Sequence, residues 1–230
     1  MKKTLLIILM LGICTSLSFG RESAPWTGKW QTWSVVYDSQ NGTPNTQEGI
    51  NYWADMDSQF SIVGEPEPGY EKVLSISTDL VLNPDWCFFY QDNTPSVLPP
   101  PRWMSADNNK GWIVEAQLKV KTSGTTTGQQ IVLSDERYVV ILDVTTSSMF
   151  IASTYLQEGT FTYECDLKSN YNTIKITAQD RYIKIYLNEV LIHTGTLIHP
   201  STQKFILFGD TSDGANSGGN VYWRYFKYKV

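Results

Sequence analysis

The residues best suited to chemistry in this sequence crowd around a proline-rich stretch. Trp86, Phe89, Tyr90, Arg102, Trp103, Asn108 and Asn109 fall within 24 positions, and Glu115 and Gln117 follow closely. Flat aromatic faces stack on the C–H face of a pyranose ring. Planar amides, carboxylates and guanidinium groups take the paired hydrogen bonds that sugar hydroxyls offer. With 13% aromatic residues and eight tryptophans, the core need not consume every ring. The predicted ligand-binding set is therefore Trp86, Phe89, Tyr90, Arg102, Trp103, Asn108, Glu115 and Gln117. The competing expectation is that Trp86 and Trp103 pack the long loop onto the domain, since tryptophan is buried on average.

Other chemistries find less material. Glycosidic hydrolysis usually needs two carboxylates, about 5–5.5 Å or about 6.5–9.5 Å apart. Asp135 and Glu136 are adjacent, so on a strand they point to opposite faces. Glu164 and Asp166 share a face, as an exposed charged surface would place them. A serine or cysteine nucleophile elbow, a phosphate loop and a dinucleotide fingerprint are absent from the sequence. The histidines are His193 and His199, and no cysteine has metal-site spacing, so no metal and no catalytic residue is assigned.

The first twenty residues read as a secretory signal of bacterial type. Lys2 and Lys3 precede an apolar run from Leu5 to Ile13, and Ser18-Phe19-Gly20 supplies a small-x-small cleavage site. The run falls short of the roughly 20 apolar residues that span a bilayer. Cys14 raises lipidation, but bulky Ile13 stands where a small residue is wanted. The expectation is an exported protein: periplasmic, cell-surface or secreted. Without residues 1–20 the formal charge moves from −5 to −7. Such a chain, with no lysine or arginine cluster, lacks the electrostatic footprint of a nucleic-acid binder. Cys87 and Cys165 could pair in an oxidising compartment, or serve unpaired as small buried groups.

These residues must be carried by strands. Helical periodicity is almost absent, and from Tyr70 onward short alternating runs rich in Val, Ile, Thr and Tyr are punctuated by Gly, Asn, Asp and Pro. Trp112 to Lys121 is the clearest strand: Trp112, Val114, Ala116, Leu118 and Val120 fall on a buried face, and Glu115, Gln117, Lys119 and Lys121 on a wet one. Further strands are expected at 131–133, 138–143, 149–154, 160–165, 173–178, 182–187, 190–194, 204–208 and 221–229. Residues 21–69, with Trp26, Trp30, Trp33, Tyr37, Tyr52 and Trp53, are expected to supply edge strands and a cap. Residues 83–111 are expected to form a strand and a long ordered loop, a feature often functional. No repeat or linker divides residues 21–230, so they form one all-β domain, a two-sheet antiparallel jelly-roll sandwich.

Three motifs in order then resemble a known superfamily. Gly111-Trp112-Ile113-Val114-Glu115-Ala116-Gln117-Leu118-Lys119-Val120 is similar to a strand common in concanavalin A-like lectins and glucanases. Tyr182 to Ile192 resembles the hairpin of laminin-G-like members. Phe208-Gly209-Asp210, the following glycine-rich loop and Trp223 to Tyr228 resemble the closing element. The resemblance covers roughly residues 70–230 and implies a concanavalin A-like fold with Glu115 and Gln117 on its concave side. It departs from the pattern twice. Glu189 stands where the hairpin turn prefers glycine. Arg224 replaces an aspartate that in relatives helps hold a structural calcium, and arginine cannot ligate a hard cation; Asp210 and Asp213 remain possible oxygen donors.

The glucanases of this fold carry E-x-D-x-x-E or a one-residue-longer form on one strand, and no such run occurs here. Its polysaccharide lyases use a Tyr/His pair with Arg and Gln neighbours, a role His193 could fill beside Gln117, Arg137 or a tyrosine. The resulting expectation is an exported, lectin-like domain binding a polysaccharide or glycan on its concave face and rim loops. Its alternatives are a glycoside hydrolase or lyase of the same fold, or a domain binding a protein partner.

Overall fold

The computed structural model describes residues 32–56, 59–67, 70–78, 86–92, 100–124, 128–211 and 219–230. The expected signal segment, Cys14, Trp26, Trp30 and Asp213 lie outside them. Within Thr32–Val230, β1 is Val35–Asp38, β2 Ala54–Met56, β3 Phe60–Glu67, β4 Tyr70–Ser77 and β5 Cys87–Asp92. β6 is Trp112–Ser123, β7 Gln129–Asp135, β8 Val139–Val144, β9 Ser148–Ile151 and β10 Phe161–Glu164. β11 is Asn172–Gln179, β12 Tyr182–Leu187, β13 Val190–Thr196, β14 Lys204–Asp210 and β15 Gly219–Lys229.

These strands form two antiparallel sheets, so the all-β jelly-roll sandwich is confirmed. One sheet has the order β13-β12-β11-β6-β15-β4-β3, with β1 also paired to β15; the other runs β10-β9-β8-β7-β14-β5-β2. Segments distant in sequence interleave, as the long-range partner of β6 shows: it is β15, with Val114 opposite Tyr228 and Leu118 opposite Trp223.

Alternation explains why these segments are strands. Along β6, Trp112, Val114, Ala116, Leu118 and Val120 are buried, and β11 sends Ile174, Ile176 and Ala178 to the same interior. Successive strand side chains face opposite ways, so each strand offers the core one apolar row. Between the sheets Phe208 lies parallel to Phe226 at 4.5 Å and meets Trp223 at 5.0 Å and Trp53 at 5.2 Å. Trp53 and Tyr37 are fully buried, so the described part of residues 21–69 closes the sandwich and adds edge strands β2 and β3, as expected.

The outward face of β6 is less wet than its pattern implies. Glu115 is only 9% exposed, because Lys227 Nζ approaches its Oε1 at 2.8 Å and Tyr225 Oη donates to it at 2.9 Å. Lys119 pairs with Glu65 at 3.3 Å. Arg224 lies with Cζ 3.7 Å from the Tyr171 ring centre and 4.7 Å from that of Tyr70. Cation–π contacts thus occupy the Arg224 side chain.

No bond joins Cys87 and Cys165. Cys87 is on β5 and Cys165 follows β10, five strand spacings apart in one sheet. At about 4.8 Å per spacing that is far beyond disulfide reach.

The hairpin between β12 and β13 turns on Asn188 and Glu189, with φ of 49° and 67°. Both central residues are left-handed, as a type I′ turn requires. Glu189 makes an exposed ion pair with Lys175 at 2.5 Å, a contact of small net worth at a surface. Relief of left-handed strain in a non-glycine residue exceeds it. Glu189→Gly is expected to stabilise the domain by up to about 1 kcal/mol, read as a higher urea midpoint; an unchanged or lower midpoint would contradict this balance.

Candidate functional site

The outer face of the seven-stranded sheet carries a cleft of about 910 Å³. β5 sends Cys87, Phe89 and Gln91 inward and Phe88, Tyr90 and Asp92 outward. β14 sends Ile206 and Phe208 inward and leaves Phe205 and Leu207 on the outer face. Antiparallel pairing sets Leu207 opposite Tyr90 and Phe205 opposite Asp92, and β2 sets Met56 opposite Phe88. The floor is therefore an apolar and aromatic pavement, with Phe88 and Tyr90 edge-to-face at 5.7 Å. Met104 reaches it from a one-turn 3-10 helix at Arg102–Ser105.

Polar groups stand around this floor: Asp92, Glu136, Thr202, Gln203 and Lys204. Glu136 is placed by a backbone constraint, since its φ is 74°. Asp135, just before it, accepts the N–H groups of Arg137 and Tyr138 on Oδ1 at 3.1 and 3.0 Å, which folds the turn. Lys204 Nζ lies 3.4 Å from Glu136 Oε2 and donates to Met104 O at 3.2 Å. Burial pushes the Tyr90 hydroxyl above its ordinary pKa, and Asp92, Tyr52 and Asp55 add to the rise. An apolar concavity with a few placed polar groups is the usual form of a small-ligand site, and its volume is near the top of the range of about 300–1,000 Å³.

The sequence-predicted residues are divided among three places. Tyr90 lines the cleft, and Trp86 continues the same strand alternation with 44% exposure. Phe89, Trp103 and Asn108 are fully buried, so their expected contact with a ligand is corrected: they hold the fold. Trp103 donates Nε1–H to Ser134 O at 2.7 Å. Asn108 donates to Asp135 Oδ2 at 2.7 Å and accepts from Arg181 N at 2.5 Å. Arg102 is exposed beside the cleft-lining Met104. Glu115 and Gln117 lie on the outer face of the other sheet, where Gln117 Nε2 donates to Thr173 Oγ1 at 3.3 Å. A ligand in the cleft cannot touch them through the sandwich.

The carboxylates and His193 also find structural places. Asp135 accepts from Trp112 Nε1 at 2.9 Å and from Asn108, and is 2% exposed. Asp166 accepts the N–H groups of Lys168 and Ser169, each at 2.9 Å. His193 stacks on Phe161 at 4.2 Å, apart from the cleft; burial lowers its pKa and Glu158 partly offsets that. Asp210 Oδ2 accepts from Thr78 Oγ1 at 2.5 Å. Among the described residues no group of three or more His, Cys, Asp or Glu is placed to hold a metal, and no helix is long and apolar enough to cross a membrane.

Sequence reasoning missed Phe88, Asp92, Phe205, Leu207, Gln203, Lys204 and Glu136. The alternation of Phe88, Tyr90 and Asp92, and that of Phe205 and Leu207, is legible locally. Their meeting depends on β5 pairing with β14 across more than a hundred residues.

No protein-family model matches this chain, and no curated protein matches it. Solved structures do. The cellulose-induced protein Cip1 superposes with a TM-score of 0.54 at 11% identity, over 84% of this chain and 95% of that one. The apo Crh5 transglycosylase gives 0.51 at 13% identity, over 84% and 82%. A sialidase gives 0.52 at 11% identity, over 86% of this chain but only 19% of its own length. The chain thus shares its fold with these structures. At these identities the likeness is one of fold.

Proposed function

We propose that this chain is an exported, lectin-like glycan-binding domain whose ligand lies in the cleft on the outer face of the seven-stranded sheet. The observation that carries the reading is the aromatic pavement of Phe88, Tyr90 and Phe205 bordered by Asp92, Gln203, Lys204 and Glu136. Ring faces take the apolar side of a pyranose while the border groups take hydroxyls. The volume suits an oligosaccharide segment rather than a single ring. The names of the similar structures, a transglycosylase, a sialidase and a cellulose-induced protein, support a carbohydrate ligand. Laminin-G-like kinship within the same reading rests on the resemblance of residues 182–192. Export rests on the layout of residues 1–20.

A glycan array followed by titration of the best ligand tests it. Tyr90→Ala is expected to weaken binding about tenfold or more while leaving the urea midpoint close to that of the parent, because Tyr90 is only half-buried. Binding that survives Tyr90→Ala and Phe205→Ala together would place the ligand elsewhere; a silent array would remove the reading.

A further inference from the structure

Polarity is graded along the cleft. Outward side chains on a strand recur at every second residue, about 7 Å apart, so paired strands set them in rows across the sheet. The first row joins Asp92 to Phe205, the next joins Tyr90 to Leu207, and the third sets Phe88 against Met56. Glu136, Thr202, Gln203 and Lys204 line the cleft at the first row, since Gln203 and Lys204 precede Phe205 and Glu136 N donates to Gln203 O at 3.0 Å. Groups able to bind hydroxyls are thus gathered at one end, beside the Phe205 and Tyr90 rings. Towards the other end the lining side chains are Leu207, Phe88 and Met56. Met56 is 41% exposed, and Trp86, which continues the β5 alternation past Phe88, is exposed as well.

We infer that the ligand is a glycoside with an aliphatic aglycone, its sugar at the polar end and its chain over Leu207, Phe88 and Met56; this rests on the glycan-binding reading above. A pyranose has narrow apolar faces rimmed by hydroxyls. Phe205 and Tyr90 can take such a face while Gln203 and Thr202 take the rim. Leu207 and Met56 offer neither a flat face nor a hydrogen bond, so a further sugar laid on them would lose hydration that they cannot replace. An aliphatic chain gains there instead. Each methylene it withdraws from water is worth up to about fourfold in affinity. Methionine, unbranched and polarizable, is the side chain best able to shape itself to such a chain.

The test is calorimetric titration with glucose and with methyl, butyl, hexyl and octyl β-glucosides, each below its micelle concentration. Octyl tetraethylene glycol supplies the chain without a sugar. Affinity is expected to climb with chain length, the octyl glucoside binding at least about tenfold more tightly than the methyl one. The sugar-free chain should bind more weakly than octyl glucoside. Met56→Ser and Leu207→Ser should each flatten the climb, whereas Gln203→Ala should weaken the methyl and octyl forms by the same factor. Met56 is exposed on edge strand β2, so its variant keeps the fold even where Leu207→Ser does not. An octyl form no tighter than the methyl form, a climb untouched by Met56→Ser, or a silent series would overturn the aglycone. Glycans captured on the array and lost with Tyr90→Ala would then leave the glycan reading intact. A sugar-free chain that binds as tightly as octyl glucoside would overturn the joint ligand, and a silent array beside it would overturn the glycan reading as well.

Discussion

Trp103→Ala is expected to destabilise the domain by about 3–5 kcal/mol, the range for deleting a fully buried aromatic side chain. Trp103 is fully buried and packs on Trp112 at 5.5 Å and edge-on to Tyr228 at 5.3 Å. Its removal leaves a cavity beside Trp112 and Tyr228 and strands the carbonyl of Ser134 on β7, which accepts the indole N–H at 2.7 Å. The backbone N–H of Trp103 donates to Tyr228 Oη at 3.0 Å, and that hydroxyl donates to Gln91 Oε1 at 2.5 Å. Gln91 Nε2 in turn donates to Tyr52 O at 2.8 Å. The backbone of residue 103 thus ties the 3-10 turn to the last strand, β5 and the closing segment, and the indole ties it to β7. Trp103→Phe separates volume from hydrogen bonding: it keeps most of the packing and loses the bond to Ser134, for an expected cost of about 1–3 kcal/mol. Urea unfolding followed by far-UV circular dichroism measures both. A loss below about 1 kcal/mol for Trp103→Ala would contradict its burial. Glycan binding retained by Trp103→Phe, set beside its loss in Tyr90→Ala, would separate the residue that builds the site from the residue that meets the ligand.

That pair of tryptophan and tyrosine shows what the sequence could and could not disclose. Period-two alternation locates strands because it is local: Trp112 to Val120 is buried at every second position, and the bounds from β7 to β14 fall within a few residues of those expected. Left-handed Asn188 and Glu189 were equally legible, since turn chemistry is set by adjacent residues. Clustering in sequence did not translate into clustering in space. Trp86, Phe89, Tyr90 and Trp103 are near neighbours along the chain, but a strand sends Phe89 one way and Tyr90 the other. Composition cannot tell a stacking tryptophan from a core one; Trp103 became a core residue because Ser134 offered its indole a buried acceptor. The cleft itself is assembled from β2, β5 and β14 and the turn at 135–137, and the pairings that join them are long-range.

Asp143→Asn carries the other large effect, and its sign depends on pH. Asp143 is 5% exposed on β8, with Gln130 Nε2 donating to its Oδ1 at 2.7 Å. Burial raises its pKa from the usual 3.8 to about 6; the hydrogen bond from Gln130 opposes the rise and Asp210 adds to it. In the unfolded chain the group titrates near its usual value, so between about pH 4 and pH 6 the folded protein holds a proton that the unfolded chain has released. Stability therefore falls as pH rises through that window, and above it the buried carboxylate costs about 3 kcal/mol relative to its neutral form. Asparagine keeps the carbonyl that Gln130 addresses and carries no charge at any pH. The variant is expected to match the parent near pH 4 and to exceed it by up to about 3 kcal/mol at pH 7, read as a gap between urea midpoints that opens with pH. Other acids titrate in the same range, but they do so in both proteins, so the difference between the two isolates position 143. A gap that is constant with pH would mean that Asp143 ionises normally in the fold. A variant less stable at pH 7 than its parent would mean that the carboxylate is held by interactions stronger than the single hydrogen bond from Gln130.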